Sequence, residues 1–273
     1  ILTYDLAMIF FVVPIFGKCS KPIEISEKIR NILPGGDFII LFVDDNPQSR
    51  KEEYKFRKEK GEYKSNIGEC NFFIKSGGVG QHKAIVHGIV YIIQNFWELI
   101  SLGSHKGSPK LEDSIFIVMD GDLSYDVNYI PIFLDKLRNS DLVLGISDKD
   151  YGHLRKILTS IFYYLVYFII RTFLYFHKGK LNSIPDWIFE HQILSRLTTF
   201  VAFKSKIFTP EPDIKNFLVY LIFSAIRDRV NIELVYLKKN FQRCSSYDFI
   251  KLFKLSQDTI IQIIKSLWRL RKN

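Results

Sequence analysis

Ser114-Ile115-Phe116-Ile117-Val118-Met119-Asp120-Gly121-Asp122-Leu123 is the stretch on which the reading of this chain turns. An uninterrupted apolar run suits a strand covered on both faces. The run stops at two carboxylates separated by one glycine. Open α/β sheets place their ligand crevice outside the carboxyl ends of the strands, which is where this pair falls. Alternate residues of an extended chain face the same way. Asp120 and Asp122 therefore converge, and Gly121 leaves room for a ligand between them. Such a pair suits a hard divalent cation, Mg²⁺ for example, that is also held by substrate phosphates. The same residues also read as a strand closed by an acidic turn, because Asp is a common turn former.

Upstream, Ala7–Val13 is predicted as a strand closed by Pro14, and Lys21–Leu33 as a helix ended by Pro34-Gly35-Gly36. Phe38–Val43 is a second strand that also finishes in paired acids, Asp44-Asp45. Ser49–Lys64 is heavily charged and reads as a solvated helix. Asn71–Lys75 is a third strand, and Gly77-Gly78-Val79-Gly80 leads into a helix from Gln81 to near Ile100, followed by a loop over Ser101–Asp113. Downstream of the central stretch come a helix over Val127–Leu137 and a strand over Leu142–Gly145. This alternation predicts an α/β fold, a mainly parallel sheet with helices on both faces, with residues 1–150 as its core.

Beyond Asp150 the composition changes, and residues 151–273 read as helices that complete the domain. Ile157–Ile170 carries no charge and is flanked by Arg155, Lys156 and Arg171. A membrane span needs about 20 apolar residues, whereas about 10–14 suit a core helix or an interfacial one. Tyr, Phe and flanking bases are what an interfacial helix uses; a buried core helix is the alternative. Asn216–Ile226 reads as another apolar helix and Asn231–Leu237 as a strand. Lys251–Asn273 is a basic amphipathic helix containing Trp268, either a membrane-surface element or a final helix with a solvated basic face. No stretch offers an uninterrupted span, so the expectation is a peripheral protein.

The chain has 273 residues and a net charge of +9, which points to anionic partners: phosphates, acidic lipid headgroups or nucleic acid. Nucleic acid fits poorly, because carboxylate pairs at strand ends repel a phosphate backbone. Cys19, Cys70 and Cys244 lie far apart with no CxxC pair, so no disulfide framework or zinc site is suggested and a reducing compartment fits best. The first apolar run, Leu6–Phe16, has neither a basic leader nor a small-residue cleavage site, which argues against a signal peptide.

Pro14, Val43-Asp44-Asp45, Gly80-xxx-Ala84-xxx-Gly88 and Val118-Met119-Asp120-Gly121-Asp122-Leu123, in this order and spacing, resemble family 2 glycosyltransferases of the GT-A fold. Within that family the chain looks most like the polyprenyl-phosphate glycosyltransferases, of which dolichol-phosphate mannose synthase is the familiar member. The likeness runs from Phe11 to Trp268. Ser245-Ser246-Tyr247 before a basic apolar helix is similar to the tail of bacterial lipid-carrier transferases.

The resemblance implies a metal-dependent, inverting transfer of a sugar from a nucleotide-sugar donor to a lipid phosphate at the cytoplasmic face of a membrane. Asp44 and Asp45 would hydrogen-bond the base and ribose, with Pro14, Lys75 and Asp120 on the nucleotide side. Asp120 and Asp122 would hold Mg²⁺ or Mn²⁺ on the diphosphate. Arg155 is the candidate for clamping the acceptor phosphate and is counted with the catalytic residues; a snorkelling helix-end base is its other reading. Lys238, Lys239 and Arg243 form a second basic cluster, with Lys239 and Arg243 expected on the acceptor or diphosphate. Gly77, Gly78 and Gly80 do not form a dinucleotide fingerprint. Gly80, Ala84 and Gly88 lie on one helical face and suit close helix–sheet packing.

The chain also departs from the family pattern. It has Phe16-Gly17-Lys18 where the family has Tyr or Phe followed by Asn-Glu, Gly145-Ile146-Ser147 for Gly-Ser-Arg, and Thr198-Thr199-Phe200 for Ser-Gly-Phe. These changes bear on the acceptor pocket. One rival is transfer to a saccharide hydroxyl, which needs a base, with Asp186, Glu190 and Asp213 as candidates. The other is a catalytically silent, membrane-docked binding protein. The oligomeric state stays open.

Overall fold

The computed structural model describes residues 8–16, 20–34, 37–45, 71–76, 78–96, 110–147, 160–162, 164–169, 171–172, 196–211, 213–240 and 249–272. In chain order the elements are β1 (Ile9–Ile15), α1 (Pro22–Ile32), β2 (Phe38–Asp44), β3 (Asn71–Lys75), α2 (Gln81–Gln94), β4 (Ile115–Val118), α3 (Ile130–Lys136) and β5 (Leu142–Ile146). Helical residues follow between 160 and 172, then β6 (Leu197–Lys204), α4 (Phe217–Arg227), β7 (Ile232–Tyr236) and α5 (Phe249–Lys272).

Runs of consecutive apolar residues become strands because both of their faces are covered, and β1, β2 and β4 are buried along their whole length. Their side chains divide with period two between opposite faces of the sheet. Phe10, Val12, Ile39, Leu41, Val43, Phe116 and Val118 join the layer that holds α2 and α4. Phe11, Val13, Ile40, Phe42, Ile117 and Met119 join the layer that holds α1 and α3. The result is one sheet of 7 strands in the order β3-β2-β1-β4-β6-β5-β7, with helices on both sides. Neighbours pair in parallel except around β6, which is antiparallel to both β4 and β5.

The mainly parallel α/β sheet expected from the alternation is what the chain forms. Two details differ. First, β1 does not close at Pro14 but continues to Ile15. Pro14 lies beyond the last β1–β4 pair, Val12 with Val118, so its missing N–H leaves no gap in that ladder. Second, Leu197–Lys204 is a strand that the sequence reading passed over, and it sits in the middle of the sheet. Its hydrophobicity is not alternating, and only pairing with both neighbours distinguishes it; Phe203 stacks on Phe116 across the β4–β6 ladder at 5.4 Å. The helix expected over Ser49–Lys64 lies outside the described residues. α2 runs to Gln94, where the Asn95 side chain donates to the Tyr91 carbonyl at 2.8 Å, and residues 97–100 of the expected helix lie outside the described residues.

Close approach of α2 to the sheet depends on Gly88. A Cβ there would stand 2.7 Å from a Val43 methyl and 2.8 Å from a Val12 methyl. The packing expected of Gly80-xxx-Ala84-xxx-Gly88 is thus realised at Ala84 and Gly88. Gly80 serves differently: its φ of +93° opens the helix, and nothing lies within 4 Å of where its Cβ would be.

The helical residues between 160 and 172 bury Val166 but expose Ile161, Tyr164, Leu165 and Phe168 by 48–66%. These four recur at helical spacing and make one outward stripe. α5 is fastened to the start of α4: Gln262 accepts from the Lys215 amide at 2.8 Å, and Asn216 donates to Thr259 at 2.9 Å. Its Ile261, Ile264 and Trp268 face outward. Among the described residues no helix is long and apolar enough to cross a membrane.

At the start of β5, Asp141 lies 3.0 Å from Lys204 and 2.8 Å from Lys206. Burial alone would raise its carboxyl; the hydrogen bonds from Lys206 and Lys204 outweigh that and hold it below its ordinary 3.8. A carboxyl depressed in the folded state stabilises it fully above the unfolded pKa and loses that contribution as pH falls through the folded one. Asp141→Asn is therefore expected to cost about 1 kcal/mol near neutral pH. In urea unfolding the gap should be constant above about pH 5 and should narrow below about pH 4.

Candidate functional site

β1 lies between β2 and β4, so the acids that end β2 and those that follow β4 flank the C-terminal end of β1 from its two sides. Ile15 pairs with Asp44, and the Asp45 amide donates to the Ile15 carbonyl at 3.0 Å. On the other side, the Met119 amide donates to Val12 at 3.3 Å, which carries Asp120 to the same edge. All four acids therefore gather at one rim of the sheet, beside the exposed side chain of Phe16.

Gly121 is buried against that rim. A Cβ on it would lie 2.6 Å from an Ile15 methyl and 2.7 Å from the Pro14 carbonyl oxygen. Its own carbonyl accepts from the Lys21 amide at 2.8 Å and so anchors the start of α1. The glycine makes room for the end of β1, so the protein itself requires a residue without a side chain here. Pro14 enters the site as this backbone wall.

Asp45 is likewise turned to internal use. One of its oxygens accepts from the Ser76 hydroxyl at 2.7 Å and from the Val79 amide at 2.8 Å; the other accepts from the Gly80 amide at 2.8 Å. The glycine-rich turn before α2 thus has its amides answered by a carboxylate of the same chain, and Asp45, 6% exposed, holds that turn. Asp44 is buried beside it and takes Ser76 on its backbone carbonyl.

Asp120 and Asp122 are half-buried. One Asp120 oxygen accepts from Gln81 Nε2 at 2.6 Å and from the Thr199 hydroxyl. Asp122 accepts from the Ser124 amide at 2.9 Å, closing a turn in which Leu123 takes a φ of +57°. That left-handed conformation is uncommon for a residue with a branched side chain and marks the turn as held by its surroundings. Asn240 supplies part of that hold: its amide donates to Ser124 at 2.8 Å and its side chain to the Leu123 carbonyl at 3.1 Å. Lys239 forms an antiparallel bridge with Tyr125, so this member of the predicted basic cluster stands beside the Asp122 turn.

The backbone of Lys75 pairs with Asp44 at the same edge, while its side chain lies outside the described residues. Arg155 and Arg243 also lie outside them, as do Asp186 and Glu190. Asp213 is exposed and is 3.4 Å from Lys265 of α5, with nothing that brings it to the carboxylate rim. Gln81 and Thr199 are residues of the site that sequence reasoning missed. Thr199 stands where the family pattern has a glycine, and Gln81 carries no chemical signal of its own.

Among the described residues there is no group of three or more His, Cys, Asp and Glu side chains able to hold a metal alone. The donor set at the rim fits a hard divalent cation of the kind that takes one or two carboxylates and completes its shell with substrate phosphates and water. Asp120 and Asp122 would be its protein ligands.

No family model matches the sequence, and no curated protein matches it either. Solved structures do match the fold. Mannosyl-3-phosphoglycerate synthase from Rubrobacter xylanophilus superposes with a TM-score of 0.53 at 9% identity, over 98% of this chain and 76% of that one. Glucosyl-3-phosphoglycerate synthase from Mycobacterium tuberculosis, in complex with phosphoglyceric acid, gives 0.52 at 14% identity, over 96% and 80%. The chain therefore has the mixed α/β, GT-A-type fold of these proteins.

Gly121→Ala is expected to destabilise the protein by about 1–3 kcal/mol, the usual cost of overpacking. It should cost more than Gly88→Ala, because the Pro14 carbonyl is backbone whereas the Val12 and Val43 methyls can turn aside. Paired urea titrations give both values.

Proposed function

We propose that this protein is a metal-dependent inverting glycosyltransferase that moves a sugar from a nucleotide-sugar donor to a polyprenyl (lipid) phosphate. It would work as a peripheral protein at the cytoplasmic face of a membrane. The observation that carries this is the meeting of two acid pairs, Asp44-Asp45 and Asp120-x-Asp122, around the end of β1. One pair alone is a turn; two at the ligand edge of a GT-A-type sheet are a donor site.

In this reading Asp44 contacts the nucleoside, and Asp45 acts indirectly, by fixing the turn that leads into α2. Asp120 and Asp122 would hold Mg²⁺ or Mn²⁺, which neutralises charge on the departing nucleoside diphosphate. Lys239 adds positive charge near the diphosphate, and Arg155, Arg243 and Lys75 are the further candidate phosphate-binding bases. A phosphate acceptor is already an anion at neutral pH, so positioning and charge neutralisation suffice and no general base is required. One-step displacement inverts the anomeric centre.

The lipid part of the proposal is supported by the stripe of Ile161, Tyr164, Leu165 and Phe168, which exposes large apolar and aromatic side chains next to Arg171. Aromatic residues flanked by bases suit the headgroup region of a bilayer. A second reading keeps the donor chemistry and takes a small phosphorylated acid as acceptor, prompted by what the two similar structures are named for.

Asp122→Ala should abolish Mn²⁺-dependent binding of nucleoside diphosphate in calorimetry; unchanged metal-dependent affinity would overturn the donor site. Supplying nucleotide sugars with polyprenyl phosphate in vesicles, with 3-phosphoglycerate, or with an oligosaccharide decides the acceptor. The expected product is the glycosyl lipid phosphate. Binding with no turnover in any arm would favour the silent binding protein. Leu165→Asp with Phe168→Asp should lower co-sedimentation with anionic vesicles by on the order of tenfold.

A further inference from the structure

Resting on the reading of Asp120 as a cation ligand, we propose that Thr199 and Gln81 are positioning residues that set the affinity of this site for its cation. The antiparallel ladder between β4 and β6 pairs Val118 with Val201. Continuing that register past the end of β4 sets Asp120 opposite Thr199, and the Thr199 hydroxyl donates to the Asp120 carboxylate. Gln81, the first residue of α2, donates its side-chain amide to the same oxygen at 2.6 Å. A short carboxylate side chain after the end of a strand otherwise has rotamer freedom to lose when a cation binds. Two donors from separate rigid elements, converging on one oxygen, remove that freedom beforehand.

Thr199 has this role because β6 runs against its neighbours. A parallel strand would present its other end at this edge; the antiparallel one presents residues that enter the sheet, with a hydroxyl at the rim. Gln81 has it because the turn before α2 is fixed by Asp45, whose oxygens hold the amides of Val79 and Gly80 immediately before it. Outer partners of metal-bound carboxylates commonly govern metal affinity by about tenfold or more.

The test is direct titration of Mn²⁺, with free Mn²⁺ read from its paramagnetic resonance signal, on wild type, Thr199→Val, Thr199→Ser and Gln81→Leu, each with and without uridine diphosphate. Thr199→Val and Gln81→Leu should each weaken Mn²⁺ binding by on the order of tenfold. Thr199→Ser, which keeps the hydroxyl, should stay within about twofold of wild type. Any turnover should recover at saturating Mn²⁺, so that the loss falls on the metal activation constant rather than on kcat. Wild-type binding with both substituted sites unchanged would overturn this inference alone. Failure of wild type to bind Mn²⁺ at all, with or without nucleotide, would overturn the donor-site reading and this inference with it. Should Thr199→Val not fold, Gln81→Leu and Thr199→Ser decide the question.

Discussion

The first turn of α2 ties the two acid pairs of this protein together. Gly80 gives its amide to Asp45, and Gln81, the next residue, gives its side chain to Asp120. The carboxylates so joined follow different strands, β2 and β4, separated by β1. A helix N-terminus carries unpaired amides and a partial positive charge, and it binds carboxylates well. Here that property is used internally to lock one acid in place, so that the residue after it reaches the other. The position of α2 depends in turn on Gly88, which lets the helix sit directly on Val12 and Val43. Helix packing, turn geometry and the arrangement of the rim are one constraint.

The rim is built by close contact rather than by an open loop. Gly121 is pressed against the Pro14 carbonyl, its own carbonyl receives the start of α1, and Leu123 is held left-handed by a turn that Asn240 closes from the far side of the sheet. Segments distant in sequence converge on the residues around Asp120 and Asp122. Rigid support of this kind is what a site needs when its work is orientation and charge neutralisation.

The outer layer obeys a different rule. The helical residues between 160 and 172 seat Val166 in the core while turning a row of large apolar side chains outward. α5 repeats the arrangement on a smaller scale with Ile261, Ile264 and Trp268, while its Gln262 and Thr259 fasten it to the start of α4. Apolar area left uncovered in contiguous rows usually marks a surface with a partner. Both helices belong to the layer that also contains α2, which forms one wall of the rim.

The strands at the heart of the sheet, and the acids that end them, were legible in the sequence because both are local signals. A short run of consecutive, β-branched apolar residues suits a strand buried on both faces, and a sudden pair of Asp residues after such a run marks its carboxyl end. The spacing of Gly80, Ala84 and Gly88 likewise announced a helix face in close contact with something flat. What the tertiary structure alone decided is which partner each of these groups has. Asp45 and Gly121 looked like ligand-facing residues and are used by the protein itself, because the turn before α2 and the end of β1 reach them first. β6 carries no alternation to betray it and becomes a strand only between β4 and β5; with it comes Thr199, set against Asp120 by register. Pairing across long sequence separation is a property of the folded chain, and no local pattern encodes it.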